Sequence, residues 1–326
     1  MAKTNLLVIA PADHYSLCNL APLRDSSEIS ASADQEELER LAPRAEVILF
    51  TSLTPKPVDL ARIWRQAKSP RWMHSLSTGV ENILFPELLS SAVRVTNARG
   101  VFKRALAEFA MLGILFHYKK ARLLVDNQRR HRWGDFNVKT PSQRVMGVVG
   151  FGEIGRECAL LAKGLGMKIH AVRRNAEKSA HDPLLDRLFK PEELHAMLAG
   201  VDVLICAAPL TRETRHMIGE AQLQVMKPAA IIINVGRGPV IDQAALIRAL
   251  LDGRLGGAAL DVFEEEPLPE NSPLWDMDNV LISPHCTDRT CDPDWLDLTM
   301  QVFVDNFYRY LQGEALLNLV DKQAGY

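Results

Sequence analysis

Residues 145–155 read "VMGVVGFGEIG", an apolar β-branched run that empties into Gly150, Gly152 and Gly155. The spacing is G-x-G-x-x-G, and "RECALLAKGLG" continues from it with helical periodicity. Three glycines alone are a weak signal, because glycines recur in many turns. A strand leading in and a helix leading out make it a specific one. The first glycine permits the tight turn, the second lets a pyrophosphate approach the backbone, and the third lets helix and strand pack closely. The helix N-terminus then presents N–H groups and a favourable dipole to phosphate. The stretch reads as a dinucleotide site in a parallel α/β sheet.

Outward from it the pattern repeats. On the C-terminal side, "KIHAV", "DVLICAA", "AAIIINV", "GAALDVF" and "NVLIS" alternate with helical stretches, and their Val/Ile/Ala content without strict alternation predicts strands buried on both faces. On the N-terminal side, "NLLVIA" (5–10), "EVILFT" (46–51), "WMHSLS" (72–77) and "VRVTN" (93–97) form a second strand series. Between the two series an apolar-striped pattern predicts one long helix over about 103–128. A chain of 326 residues with two such series predicts two similarly built α/β domains.

Composition narrows the function classes. A net charge of −2 gives no general attraction to nucleic acid or anionic membrane. No run approaches the length of a membrane span, and "NLLVIA" is too short for a secretory signal, so a cytoplasmic protein is expected. The five cysteines are scattered, which fits reduced thiols. His285, Cys286 and Cys291 are near neighbours but lack a fourth ligand and a recognised spacing, so no metal site is expected.

Three further features fall just past strands of the second series. "IIINVGRG" delivers Arg237, "AALDVFEEEP" delivers Asp261, Glu264, Glu265 and Glu266, and "VLISPH" delivers His285. In an open parallel sheet, ligands bind beyond the carboxyl ends of the strands. Each residue alone has a plain structural reading, as a turn, a solvated loop or a satisfied histidine; arriving together they form an acid/base constellation. Hydride addition to a carbonyl needs a proton for the oxygen, and histidine is suited to give it. A carboxylate on the far ring nitrogen favours the imidazolium. An arginine grips a substrate carboxylate with two parallel hydrogen bonds. An α-keto acid presents both groups.

With "STGVEN", "VTNARGV", "GFGEIG", "APLTRET", "NVGRGPVID", "ALDVFEEEPLP" and "SPH" in this order, the chain resembles the D-isomer-specific 2-hydroxyacid dehydrogenases, and in character the glyoxylate/hydroxypyruvate reductases, over nearly its whole length. The resemblance implies two Rossmann-like domains. The cofactor domain, about 103–287, would be inserted into a substrate domain made of 1–102 and 288–326, with the helices near 103–128 and 294–312 bridging them, and members are commonly homodimers. It implies Arg237 as substrate-binding arginine, His285 as acid/base and Glu266 as its partner. Backbone N–H groups of Ser77, Thr78, Gly79 and Val80 would hold the substrate carboxylate. Glu153 and Ile154 would lie at the pyrophosphate turn, and Pro209, Thr214, Val235 and Asp261 along the cofactor.

The departures are informative. Phosphoglycerate-oxidising relatives place an arginine where this chain has Ser75, which argues against a phosphorylated substrate. After His285 the sequence reads "CTDRTCD" instead of small residues and glycine, bringing Asp288 toward the nicotinamide end. Trp133 stands near where some reductases send a tryptophan into a partner's pocket. In "KIHAVRRN", Arg173 occupies the position where an acid selects NAD by binding the ribose hydroxyls, with Arg174 beside it. Two guanidinium groups there favour the 2′-phosphate of NADP(H), with NAD(H) as the alternative and a pair of solvated arginines as the plain reading. The expected activity is reduction of glyoxylate or hydroxypyruvate; a larger 2-keto acid, or a non-enzymatic NAD(P)-sensing protein of the same fold, are the competing readings.

Overall fold

A computed structural model describes residues 3–326 of the chain. They form two compact units, Met1–Val101 with Thr290–Tyr326, and Phe102–Arg289. Residues 1 and 2 of the expected first segment lie outside the described residues.

The first unit is built on a five-stranded parallel sheet of order β2-β1-β3-β4-β5. Its strands are β1 (Thr4–Ile9), β2 (Ser27–Ser32), β3 (Val47–Phe50), β4 (Trp72–Ser75) and β5 (Arg94–Asn97). Both faces are covered. Ile48, Met73 and Val95 meet Leu38, Leu60 and Ile63 on one side, and Val47, Leu49 and Trp72 meet Met300, Phe303 and Phe307 on the other. The last three come from the helix Trp295–Gln312, and Trp72 stacks on Phe303 at 5.2 Å. That helix starts where Asp294 accepts the N–H of Leu296 and stops at Gly313, which is left-handed.

The second unit carries seven parallel strands in the order β12-β11-β10-β9-β6-β7-β8. These are β6 (Val145–Val149), β7 (Lys168–Val172), β8 (Arg187–Phe189), β9 (Val203–Cys206), β10 (Ile231–Asn234), β11 (Gly257–Leu260) and β12 (Val280–Ile282). Strand order reverses between β6 and β9, the switch point at which such sheets bind ligands. The helix Lys103–Tyr118 lies against the sheet so closely that a Cβ on Gly113 would come 2.8 Å from the Ala259 methyl. Two parallel α/β sheets are thus the expected architecture.

One local expectation is corrected, and two strands stand where none was expected. The single helix expected over 103–128 is two, Lys103–Tyr118 and Ala121–Arg129, broken where Lys120 takes a left-handed φ of 53°. The strands β2, "SEISAS", and β8, "RLF", lacked an apolar run and escaped the sequence reading. Both are sheet edges, where one side of the ladder is unpaired and polar residues are tolerated.

Candidate active site

The turn after β6 has the geometry its glycines demand. Gly150 has φ +91°, and a Cβ there would fall 2.6 Å from the backbone of Ala208, just past β9. A Cβ on Gly155 would sit 2.3 Å from the Gly150 carbonyl, whereas one on Gly152 would meet nothing within 4 Å. Two glycines are therefore needed for packing and the third keeps space above the backbone open. The helix Glu153–Gly164 begins there with Gly152 as a cap that has no side chain to offer, so its first N–H groups face that space. Glu153 turns its carboxylate to Lys103 at 3.4 Å, and Ile154 is half-buried. An open, donor-lined cradle of this kind fits a dinucleotide pyrophosphate.

At the end of β7, Arg173 donates from Nη1 to the hydroxyl of Ser179 at 2.6 Å, and Arg174 is exposed. Ser179 lies on the short turn Ala176–Ser179. Thr214 donates to the carbonyl of Pro209 at 2.6 Å and accepts from the N–H of Thr211 at 2.7 Å, so its side chain ties its own loop. Val235 is buried directly after β10.

Three strand ends then supply the acid/base constellation. Asn234, the last residue of β10, donates from Nδ2 to the Arg237 carbonyl at 3.0 Å and accepts the Gly236 N–H at 3.1 Å. It therefore shapes the turn that carries Arg237, and its own carbonyl accepts the N–H of Asp261. Sequence reasoning passed over Asn234; a polar residue closing the apolar strand "IIIN" was the available signal. Asp261 is 1% exposed, and its Oδ1 accepts the backbone N–H groups of Cys286 at 3.2 Å and Thr287 at 3.3 Å. The segment after β12 is thereby anchored beside His285, whose own φ is 51°.

Glu266 completes the group. Its Oε1 accepts the Phe263 N–H at 2.9 Å and its Oε2 lies 2.7 Å from Nδ1 of His285. The hydrogen bond to Glu266 raises the His285 pKa above its ordinary value; burial and the Arg237 charge oppose this, and the Asp261 charge assists it. Burial would raise Glu266, yet the His285 hydrogen bond, the Phe263 N–H and the charges of His285 and Arg237 hold it below the usual carboxylate range. Asp288 is raised by burial and by the nearby Asp261 charge, against the pull of His285. The structure thus brings Arg237, Glu266, His285, Asp261 and Asp288 into one electrostatic neighbourhood of the second unit.

The loop Ser77–Val80 belongs to the first unit, directly after β4. Val80 is buried, Asn97 donates to the Thr78 carbonyl at 2.7 Å, and Ser77 donates its N–H to the Ser75 hydroxyl at 3.2 Å. Ser77, Thr78 and Gly79 are half-exposed. Trp133 is fully exposed, in a stretch without regular structure. Among the described residues no three His, Cys, Asp or Glu side chains gather as metal ligands.

Comparison with known proteins places these features in a wider group. Residues 111–287 match the model of the D-isomer specific 2-hydroxyacid dehydrogenase NAD binding domain. A glyoxylate reductase of Thermococcus gammatolerans is 32% identical over 92% of each chain. One from Aeropyrum pernix is 34% identical over 84% of this chain and 83% of its own. Among solved structures, a D-isomer specific 2-hydroxyacid dehydrogenase from Xanthobacter autotrophicus in complex with NADPH and MES superposes with a TM-score of 0.83, at 28% identity over the whole of both chains. A family protein from Aeromonas salmonicida gives 0.84 at 29% identity, over 98% of this chain and all of its own.

Proposed function

This chain belongs to the D-isomer specific 2-hydroxyacid dehydrogenase family and is an NAD(P)-dependent oxidoreductase; we propose that it reduces glyoxylate or hydroxypyruvate and prefers NADPH. The observation that carries the chemistry is the 2.7 Å pairing of His285 with Glu266 in the field of Arg237. The glyoxylate reductases among the relatives support the substrate class.

When bound, reduced nicotinamide supplies the hydride that adds to the keto carbon. The residues of the chain supply the rest. Glu266 occupies Nδ1 of His285, which leaves Nε2 to give its proton to the carbonyl oxygen as that oxygen gains charge. In the oxidation direction the same nitrogen takes the hydroxyl proton. Arg237 grips the carboxylate and polarises the adjacent carbonyl. The backbone N–H groups of Ser77, Thr78, Gly79 and Val80 in the first unit are the other proposed carboxylate-binding groups. Glu266 keeps the imidazole oriented and stabilises its charged form. Asp261 positions His285 through the main chain and lines the nicotinamide end along with Val235, while Gly150, Gly152, Glu153, Ile154 and Gly155 form the pyrophosphate turn.

Preference for NADPH rests on Arg173 and Arg174. Directly after β7 the chain has Arg173 and Arg174 where an acid would repel a 2′-phosphate, and Ser179 accepts from the Arg173 guanidinium. The NADPH-bound relative from Xanthobacter autotrophicus supports this reading. Pro209 and Thr214 shape the loop along the adenosine end. We assign the second unit to the cofactor and the first to the substrate.

A homodimer formed through the second unit is the proposed assembly. Leu123, Leu124, Val125, Trp133 and Trp275 expose apolar surface there, which favours burial against a second copy. Five free cysteines fit the reducing, cytoplasmic setting that we propose.

The test is a panel of 2-keto acids, from glyoxylate and hydroxypyruvate to branched and aromatic ones, mixed with NADPH or NADH while absorbance of the reduced cofactor is followed. Turnover of the small acids is expected. Turnover confined to large ones would replace the substrate, and cofactor binding without any turnover would favour a sensing protein.

A further inference from the structure

Glu264 and Glu265 read in the sequence as loop residues preceding Glu266, and the structure separates them. Glu265 is exposed. Glu264 places Oε1 2.6 Å from Nε2 of His216, and the same oxygen accepts the Gln243 N–H at 3.3 Å. Gln243 returns the contact by accepting the Glu264 N–H at 3.2 Å. His216 donates its own N–H to the Pro239 carbonyl at 2.7 Å, and Ile218 bridges to Ile241. The segments that follow β9, β10 and β11 are therefore laced together at one point.

That point is mechanically close to the acid/base pair. The Cα of Gly238 rests on Phe263, since a Cβ there would fall 1.8 Å from the Phe263 carbonyl oxygen. The backbones that carry Arg237 and Phe263 are thus in direct contact. The N–H of Phe263 in turn donates to Glu266, which also bonds His285. Contacts run without a gap from His216 to Glu264, through the Phe263 turn to Glu266, and on to His285.

The pair does not look like a device for stability. Its side chains retain 46% and 32% of their exposure, and exposed ion pairs contribute little to folding. His216 has a φ of 52°, a left-handed conformation that non-glycine residues keep only where their surroundings impose it.

We propose that His216 and Glu264 are positioning residues that hold the Phe263–Glu266 turn, and through it set the carboxylate on His285. The proposal rests on the reading of His285 as the proton donor and deepens it. Neither residue touches the reacting atoms; both act through Glu266.

The test reads His285 directly. The charged groups facing His285 are Glu266, Arg237, Asp261 and Asp288. Loosening the turn weakens the pull of Glu266 and leaves the others in place. In His216→Ala, the imidazole of His285 is titrated by NMR, its signal assigned by its disappearance in His285→Ala. Its pKa is expected to fall toward the ordinary histidine value, with the alkaline limb of keto-acid reduction moving the same way. The turnover number should drop about tenfold, as misplaced catalytic groups do. KM for the keto acid and the affinity for NADPH should stay within about twofold. Glu264→Gln, which keeps an acceptor for His216 and for Gln243, should recover most of the turnover. An unmoved His285 titration in folded His216→Ala overturns the proposal, as does a loss of turnover matched by an equal loss of NADPH affinity. If His216→Ala does not fold, His216→Gln carries the same titration. The titration needs no turnover, so a wild-type protein inactive on every keto acid would refute the substrate reading and leave this test in force.

Discussion

His285 and Glu266 share a short hydrogen bond, Nδ1 to Oε2 at 2.7 Å, and the second oxygen of that carboxylate is already taken by a backbone N–H. The carboxylate is clamped from both sides, and the histidine is held by a partner that cannot swing away. This relationship fixes the direction of the pH dependence.

The His285 pKa is raised above its ordinary 6.5 by Glu266. Reduction needs the protonated ring, so its rate should be full at low pH and fall as pH rises through the elevated pKa; oxidation of the hydroxy acid should show the opposite limb. Stability from the raised His285 pKa is present below its unfolded-state value and lost as pH rises through the folded one. Stability from the lowered Glu266 pKa is present above its unfolded-state value and lost as pH falls through the folded one. Glu266→Gln should move the alkaline limb to lower pH and cut turnover by about 10–100-fold, measured as kcat against pH.

His285→Ala removes the proton donor and leaves the cofactor cradle untouched. Turnover should fall by roughly 10²–10⁴-fold. NADPH affinity, followed by fluorescence titration, should stay as in wild type. Equal turnover in the variant would return His285 to the class of ordinary surface histidines.

Arg173→Asp places a carboxylate at the end of β7, next to Ser179. Losing one charge-assisted contact to the 2′-phosphate is worth about 1.5–3 kcal/mol, and repulsion adds to it. The ratio of kcat/KM for NADPH to that for NADH should therefore fall by at least about tenfold. A ratio that does not move would make the two arginines solvated bystanders.

Gly238→Ala tests the close approach of two loops. Its Cβ would overlap the Phe263 carbonyl, so one backbone must retreat. The expected cost is about 1–3 kcal/mol in thermal or denaturant unfolding. Because Phe263 holds Glu266, turnover should suffer beyond what the loss of folded protein explains. Gly152→Ala meets no atom within 4 Å and should leave stability intact while weakening cofactor binding.

How much was legible in advance follows burial. β10, "IIIN", and β9, "VLIC", are buried at every residue, and an uninterrupted apolar run announces such strands. β2 and β8 are edges of mixed burial, with Ser27, Ser32 and Phe189 inside and the other side chains partly or fully exposed, so they form through pairing with β1 and β7 and leave little apolar pattern. Lys120 broke a helix that periodicity alone would have continued, since a left-handed lysine has no sequence signature. In the site, Arg237 and His285 could be read because they stand just past strands. Asn234 left only a local signal, a polar residue closing an apolar strand, whereas His216 left none, because its partner Glu264 is brought near only by folding.

Asp261 holds the segment after β12 by that segment's main chain, through the N–H groups of Cys286 and Thr287, so these hydrogen bonds do not depend on which side chains stand there, and only its charge reaches Asp288. Positions 286–288 therefore form a stretch in which chemistry can be exchanged without relocating the histidine before it. A library randomised at Cys286, Thr287 and Asp288 should yield folded variants that differ in the acids they accept, with Asp261 as the residue such a library must leave alone.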